Sequence, residues 1–277
     1  MKWNIVVDSS CDLLSDYSDA QIGLDIVPLT IVVGEKYFRD DENVNTKELL
    51  QAMKQEKRAS SSACPSPRDF YSCFVKAENS ICITMTGALS GTYNAARLGA
   101  EMAKEEFPDK NIFVLDSKAT AGKMVLLKNK AVRLIKSGME FDDVCRAMEE
   151  YNRETHLVFA LGGYDNLVKT GRMSRLAGVM ATHLGIRAVA VATDGQVDVV
   201  KKPRGERNAI DAMIEIMREN KDMAGKPVVI SHCNNPVGAR EMKLAISQRL
   251  KTDDVTILDC RGLTTFYTME KGLIVGY

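Results

Sequence analysis

Short apolar runs alternate with longer amphipathic segments along this chain of 277 residues. The apolar runs, which we interpret as strands, lie at residues 5–7, 81–85, 111–115, 157–161, 188–192, 227–231 and 255–258. Apolar residues recur at helical spacing over residues 92–107, 122–136, 141–151 and 208–220. Strands that alternate with helices are typical of an α/β fold, and parallel strands need helical crossovers of this length. The sequence therefore predicts an α/β protein with mainly parallel pairing.

The charge balance of the chain argues against one class of partner. Lys and Arg together number 37, and so do Asp and Glu, which makes the formal net charge zero. A nucleic-acid-binding protein is usually strongly basic, so we expect no nucleic-acid partner. No apolar stretch approaches the length of a transmembrane helix, and the apolar start of the chain is too short for a signal peptide. We therefore expect a cytoplasmic protein without stable membrane insertion.

The sequence contains no recognisable pattern for a metal or a nucleotide cofactor. The seven cysteines form no C-x-x-C pair, and the histidines at 156, 183 and 232 stand far apart. Neither a P-loop nor the glycine-rich dinucleotide signature occurs. We predict no metal site and no cofactor.

Small polar residues follow three of the predicted strands. These clusters are residues 8–10, 86–90 and 116–117. Ligands of parallel α/β sheets bind beyond the carboxyl ends of the strands, so the clusters are candidate site residues. Helix capping and turns use the same residue types, and that interpretation stays open for each cluster alone.

Residues 60–67 form the least ordinary local segment, because four serines share it with two prolines. Pro65 and Pro67 exclude a helix through the segment and favour an extended path. The serines, among them Ser62, would present hydroxyl groups on a stiff loop. The alternative is a surface loop followed by a helix that starts near Pro67.

Ser90 and Gly91 lie between a predicted strand and a predicted helix. Free N–H groups at such a helix start attract anions, and glycine permits a close approach of the backbone. The spacing around Ser90 differs from the G-x-S-x-G motif of hydrolases, and a nucleophilic serine also needs a base. A serine that only donates a hydrogen bond to an anion needs none. This difference favours binding over catalysis, and a serine hydrolase is the alternative.

Two short basic segments supply candidate arginines. Residues 170–175 place Arg172 and Arg175 around a small turn, where a guanidinium group is suited to bind a carboxylate or a phosphate. Residues 201–207 include Arg204, and the simplest interpretation of this segment is that it is exposed to solvent. A solvated basic turn remains the alternative for the first segment.

Taken in order, these motifs resemble those of the DegV family of fatty-acid-binding proteins. The resemblance spans most of the chain, and its combination of motifs is more specific than any one of them. The motifs are residues 8–13, 62–67, 89–93, 116–118 and 171–174.

The resemblance implies two α/β domains with a ligand tunnel between them, which we place at residues 1–160 and 161–277. It implies that Ser62, Ser90 and Arg172 hold the carboxylate of a long-chain fatty acid such as palmitate. Arg204 and Thr268 are expected in the head-group network or on a partner-facing surface. The protein would carry the acid in lipid transport or fatty acid metabolism without chemistry of its own. A fatty acid kinase is the further partner that the resemblance implies.

Two positions depart from the family pattern. Ser62 and Ala63 stand where the family usually has Thr-Ser, and the hydroxyl of the first position is kept. The stretch from Thr268 to Gly272 stands where many members have H-x-G-P-G, so the histidine of kinase-coupled members is missing. We therefore predict little acyl-phosphate formation with a kinase.

The methionine content suits a flexible apolar cavity. The chain has 14 methionines, whereas aromatic residues make up only 6%. Met85, Met173, Met180 and Met269 are nearest to the motifs and are candidates for tunnel lining. Ordinary core packing is the alternative.

Overall fold

The computed structural model describes residues 1–13, 21–56, 58, 60–173, 185–220 and 222–277. Strands and helices are numbered here along these residues. The strands are β1 (Trp3–Asp8), β2 (Ile22–Val27), β3 (Thr30–Val33), β4 (Lys36–Arg39), β5 (Ser61–Ala63), β6 (Asn79–Thr84), β7 (Asn111–Asp116), β8 (Leu157–Ala160), β9 (Val189–Thr193), β10 (Gln196–Lys201), β11 (Val228–His232), β12 (Val255–Asp259) and β13 (Leu273–Gly276). The helices are α1 (Thr46–Gln55), α2 (Pro67–Phe74), α3 (Thr92–Glu106), α4 (Ala121–Lys136), α5 (Phe141–Glu154), α6 (Asp165–Lys169), α7 (Glu206–Asn220), α8 (Pro236–Leu250) and α9 (Gly262–Thr268).

The N-terminal part forms a parallel sheet of four strands in the order β2-β1-β6-β7. All six residues of β1 and of β6 are buried, as expected for central parallel strands covered on both faces. The predicted parallel α/β arrangement is confirmed for this sheet. The carboxyl ends of β1, β6 and β7 lead into the polar residues that the sequence singled out.

The second sheet has six strands in the order β10-β9-β8-β13-β11-β12. Only β11 and β12 pair in parallel, whereas the other four pairings are antiparallel. The prediction of mainly parallel pairing is wrong here. Asp194 and Gly195 both have positive φ angles, 47° and 82°, which is the backbone of a tight hairpin turn and sends β10 back along β9. After α9 the chain also returns antiparallel, because β13 inserts between β8 and β11.

A third sheet, in the order β4-β3-β5, is small and antiparallel. Its edge strand β5 carries Ser62, so the predicted extended path of the serine-rich segment is confirmed. The helix start near Pro67, which belonged to the alternative interpretation of this segment, is present as well. Ser66 caps α2 through the backbone N–H of Asp69, and the Asp69 side chain accepts a hydrogen bond from the backbone N–H of Ser66.

Helix α4 packs against strands of both large sheets, namely β1 and β6 of the first sheet and β11 and β13 of the second. Its residues Met124, Val125 and Leu127 are buried in the largest apolar core, which also includes Val229 of β11. A Cβ atom on Gly122 would lie 2.5 Å from the carbonyl oxygen of Val229, so glycine permits the helix to approach this sheet closely. The two large sheets therefore share a continuous core through α4.

The domain division expected at residue 160 stays a prediction. Strand β8 lies before that division, yet it pairs with β13 and β9 of the second sheet. Within the part of the chain that the structure describes, no helix is long and apolar enough to cross a bilayer.

Candidate ligand-binding cavity

An apolar cavity of about 80 Å³ lies where the carboxyl end of β6 meets β8, β13, α6 and α9. Its apolar wall consists of Met85, Leu89, Leu157, Phe159, Leu161, Leu167, Val197, Leu263 and Ile274. Its polar wall residues are Thr86, Thr120, Arg172, Thr264, Tyr267 and Thr268. The cavity thus combines a long apolar lining with hydroxyl groups and one guanidinium group.

Arg172 is fixed at the wall of the cavity by contacts with two loops. Its Nε donates a hydrogen bond of 3.0 Å to the carbonyl of Leu89, and its Nη1 donates one of 3.1 Å to the carbonyl of Thr170. The guanidinium carbon lies 5.7 Å from the centre of the Tyr267 ring, which is within the range of a cation–π contact. The arginine that the sequence indicated is therefore a wall residue with a fixed orientation.

Ser62 does not line the cavity directly, but it reaches the wall through Tyr267. The Ser62 hydroxyl and the Tyr267 hydroxyl are 2.9 Å apart. The ring of Tyr267 also meets that of Phe266 edge to face, with centres 4.8 Å apart. Tyr267 was not singled out by the sequence, yet it joins two predicted site residues, Ser62 and Arg172.

Ser90 stands at the start of α3, one residue after the wall residue Leu89. Its Oγ is 2.8 Å from the hydroxyl of Thr92 and accepts a hydrogen bond of 3.3 Å from the backbone N–H of the same residue. A Cβ atom on Gly91 would lie 3.3 Å from the sulfur of Cys64. The serine-rich segment and the Ser90 loop are therefore neighbours, and they approach the same end of the cavity as Arg172.

The remaining predicted residues have different positions. Thr268 is buried in the cavity wall, and the sulfur of Cys260 lies 4.0 Å from its hydroxyl. Arg204 is exposed and is not a wall residue, so its role in a head-group network or on a partner-facing surface stays a prediction.

The methionine candidates differ in whether they line the cavity. Met85 lines the cavity, whereas Met173 and Met269 do not. Met180 lies outside the described residues, as do Ser174 and Arg175. The apolar wall therefore consists mainly of leucine, valine, isoleucine and phenylalanine in the described part.

Two buried carboxylates hold the start of α9, which supplies four wall residues. Asp40 accepts hydrogen bonds from the backbone N–H groups of Gly262, at 2.7 Å, and Leu263, at 2.8 Å. Asp12 accepts from the backbone N–H of Arg261, at 2.9 Å, and from the hydroxyl of Thr264. Burial raises the pKa of Asp12 to about 7 and also raises the pKa of Asp40. These aspartates position the polar wall of the cavity from outside it.

A third buried carboxylate, that of Asp8, fixes the end of β6. It accepts hydrogen bonds from the backbone N–H of Met85, at 2.6 Å, and from that of Ser10, at 2.9 Å. Burial raises its pKa to about 6. The sequence placed Asp8 in a strand-end cluster and Asp12 in the motif at residues 8–13, but it gave no indication of their distant partners. Asp40 carried no signal, because its partners lie more than 200 positions away.

The fold and the site together define an α/β protein with an apolar cavity whose wall includes hydroxyl groups and one guanidinium group. The family model described as "Uncharacterised protein, DegV family" matches residues 2–275. The chain belongs to the DegV family, as the motifs of the sequence indicated.

Relatives of known sequence and structure cover the whole chain. A DegV domain-containing protein of Streptococcus pyogenes serotype M1 is 38% identical over 283 residues, which are 100% of this chain and 99% of the relative. The Streptococcus pneumoniae Fatty Acid Kinase (Fak) B3 protein, solved with linoleic acid, is 35% identical and has a TM-score of 0.96 over 100% of this chain and 99% of that chain. A DegV family protein from Eubacterium eligens, solved with heptadecanoic acid, is 27% identical with a TM-score of 0.94 over 99% of this chain and 98% of that chain.

Proposed function

We propose that this protein binds a long-chain fatty acid and carries it in lipid transport or fatty acid metabolism. The observation that carries the proposal is the apolar cavity with Arg172 in its wall. The acyl tail would occupy the apolar part, and the carboxylate would lie near Ser62, Ser90 and Arg172. The fatty acids in the S. pneumoniae and E. eligens structures support this choice of ligand.

The physical chemistry of such a ligand fits this division of the cavity. Each buried methylene contributes about 0.8 kcal/mol, so the tail supplies most of the affinity. The carboxylate loses its hydration on binding and needs hydrogen bonds or a cation in exchange. Arg172 supplies the cation, and the nearby hydroxyl groups supply hydrogen-bond donors.

The proposed role is that of a carrier without catalytic activity, and the alternative is a serine hydrolase or another enzyme that acts on acyl substrates. The hydroxyl of Ser90 meets the hydroxyl and the backbone N–H of Thr92, and no histidine is among these described partners. This arrangement supports binding by Ser90 more than nucleophilic attack, because an attacking serine needs a base. A fatty acid kinase belongs to the proposal as a further partner, supported by the name of the S. pneumoniae relative. The cytoplasmic location stays a prediction.

Mass spectrometry of the purified protein tests the ligand directly. We expect a free fatty acid to co-purify, and we expect the delipidated protein to bind palmitate in a calorimetric titration. Ser90→Ala should weaken that binding by about 1–3 kcal/mol, because a buried charged group loses a hydrogen-bond donor. Ser72→Ala is the matched control, since Ser72 is exposed on α2 and its hydroxyl donates a hydrogen bond to the carbonyl of Arg68.

Two outcomes would count against the proposal. Unchanged palmitate affinity in Ser90→Ala would contradict the head-group site. Hydrolysis of an acyl ester by the wild-type protein, lost in Ser90→Ala and kept in Ser72→Ala, would favour the hydrolase instead.

A further inference from the structure

A second cleft shares the wall residue Leu157 with the apolar cavity. Its volume is about 470 Å³. We call it the basic cleft and define it by six of its wall residues. These are Lys118, Lys123, Asn152, Arg153, His156 and Tyr277.

The charges on the walls of the basic cleft are mostly positive. Lys118, Lys123 and Arg153 face a single acidic wall residue, Asp194. The carboxylate of Asp194 is already paired with Lys118, whose Nζ lies 3.1 Å away. Lys123 and Arg153 therefore leave an excess of positive charge in the cleft.

Lys123 is the residue that makes this excess unusual. It is only 6% exposed, and its Nζ donates one hydrogen bond of 3.0 Å, to the backbone carbonyl of Asn152. An ammonium group taken out of water is costly unless it is paired with an anion. None of the described carboxylates forms an ion pair with Lys123, although the nearby Asp116 acts on its charge. A negatively charged ligand would supply the missing partner.

Two further polar groups of the cleft suit a ligand with oxygen atoms. The hydroxyl of Tyr277 accepts a hydrogen bond of 2.8 Å from Asn220, which leaves its own proton free to donate. The Oδ1 atom of Asn152 is buried and has no hydrogen-bond partner among the described residues. Buried polar atoms in proteins are nearly always hydrogen-bonded, so a bound hydroxyl group or a water carried with the ligand would satisfy this atom.

We propose that the basic cleft binds a small oxyanion of the phosphate type, held by Lys123, Arg153 and the Tyr277 hydroxyl. The ligand is either free inorganic phosphate or the phosphate group of a small ester that carries a hydroxyl group. Such a ligand is distinct from the fatty acid, and it would lie one side chain away from the acyl tail.

Calorimetric titration of the full chain with inorganic phosphate tests the proposal, with chloride at equal ionic strength as the reference. We expect phosphate-specific binding in the wild-type protein. Lys123→Met keeps the length of the side chain without its charge and should weaken binding at least about tenfold. Arg153→Gln should weaken it by a smaller factor, and because Arg153 is exposed this variant should fold normally. Arg146→Gln is the matched control, since Arg146 is exposed on the same helix outside the cleft.

Two further binding measurements make the test more specific. Tighter binding of glycerol phosphate than of inorganic phosphate would support an ester as the ligand, and equal binding would support the free anion. Burial lowers the pKa of Lys123 to about 8, so affinity for sulfate, whose charge is constant, should fall as the pH rises from 7 to 9. The groups that face Lys123 are Asp116, Lys118, Arg153, His156, Asp194 and Tyr277. Burial raises the pKa of Tyr277 to about 12, which is above that window.

The proposal is overturned if phosphate binds no better than chloride, or if Lys123→Met and Arg153→Gln both bind phosphate as the wild type does. Sulfate affinity that stays constant between pH 7 and 9 would contradict the role of Lys123.

Discussion

The hydroxyl of Ser62 and the hydroxyl of Tyr267 lie 2.9 Å apart, although 205 positions separate the two residues in the chain. Ser62 belongs to the edge strand of the small antiparallel sheet, and Tyr267 belongs to the last helix and lines the cavity. Tyr267 also lies beneath Arg172. One tyrosine therefore couples the serine-rich segment to the arginine at the polar end of the cavity.

Removal of the Tyr267 hydroxyl tests this coupling. Tyr267→Phe keeps the ring beneath Arg172 but loses the hydrogen bond to Ser62, so we expect the free energy of unfolding to fall by about 0.5–1.5 kcal/mol. Palmitate affinity should fall about threefold in the same variant, because Ser62 loses its anchor to the wall. A double-mutant cycle combines Tyr267→Phe with Ser62→Ala. The double variant should have a free energy of unfolding only slightly below that of the less stable single variant. Fully additive losses would contradict the coupling.

Arg172→Lys tests whether the shape of the guanidinium group matters as well as its charge. Lysine keeps the charge but cannot donate in the fixed directions that reach the carbonyls of Leu89 and Thr170. We expect palmitate affinity to fall about tenfold by titration calorimetry. Arg146→Lys, which changes an exposed arginine, should bind like the wild type. Wild-type affinity in Arg172→Lys would show that the charge alone suffices.

A larger side chain in the apolar wall should change which fatty acids bind. Leu161 is buried and lines the cavity, so Leu161→Phe should reduce the space for a long tail. We expect a larger loss of affinity for stearate than for laurate, together with a destabilisation of about 1–3 kcal/mol from overpacking. Leu98→Phe is the control, since Leu98 is exposed on α3. Equal losses for stearate and laurate would contradict the assignment of the tail to this cavity.

The buried aspartates predict how stability depends on pH. Burial raises the pKa of Asp12 to about 7 and that of Asp8 to about 6, both from an ordinary value of 3.8. The folded protein therefore holds these protons more tightly than the unfolded chain does, and this stabilisation is fully present below about pH 3.8. It is lost as the pH rises through 6 and 7, so the two groups lower the free energy of unfolding across that window.

Chemical denaturation between pH 4 and pH 8 measures this contribution. Asp12→Asn keeps an oxygen acceptor for Arg261 and Thr264 but cannot ionise, so its stability should fall less with rising pH than that of the wild type. Asp142→Asn, on the surface of α5, should keep the wild-type slope. Parallel pH profiles for wild type and Asp12→Asn would refute the contribution of Asp12.

The threonine at position 268 predicts a weak response to a kinase. We expect the wild-type protein loaded with palmitate to yield little acyl phosphate when a fatty acid kinase and ATP are added. Thr268 is buried in the cavity wall, and Thr268→His would restore the residue that the family pattern has there. If this variant still binds palmitate, its acyl-phosphate yield should rise, whereas Thr268→Ala should give no increase. A high yield from the wild type would show that the histidine is dispensable.

Elements whose signals are local were predictable from the sequence. The apolar runs at 81–85 and 111–115 became β6 and β7, and the periodic segment at 92–107 became α3. Ser66 and Pro67 set the start of α2. The order of motifs was also sufficient for the family, and hence for Ser62, Ser90 and Arg172 as candidate residues.

Strands β2 to β5, β10 and β13 were missed, because runs of three to six residues give little periodicity. The antiparallel second sheet was missed for a related reason: pairing direction depends on the turn at Asp194 and Gly195 and on where β13 inserts.

The sequence by itself determined the α/β class, most of the long elements and the polar residues at the strand ends, because periodicity, capping and proline act over a few neighbouring residues. Only the tertiary structure decided that Tyr267 meets both Ser62 and Arg172, and that Asp12 and Asp40 hold the start of α9. The same is true of the buried ammonium group in the basic cleft. Such contacts join residues far apart in the chain, and they exist only once sheet order and the packing of α4 have brought those residues together.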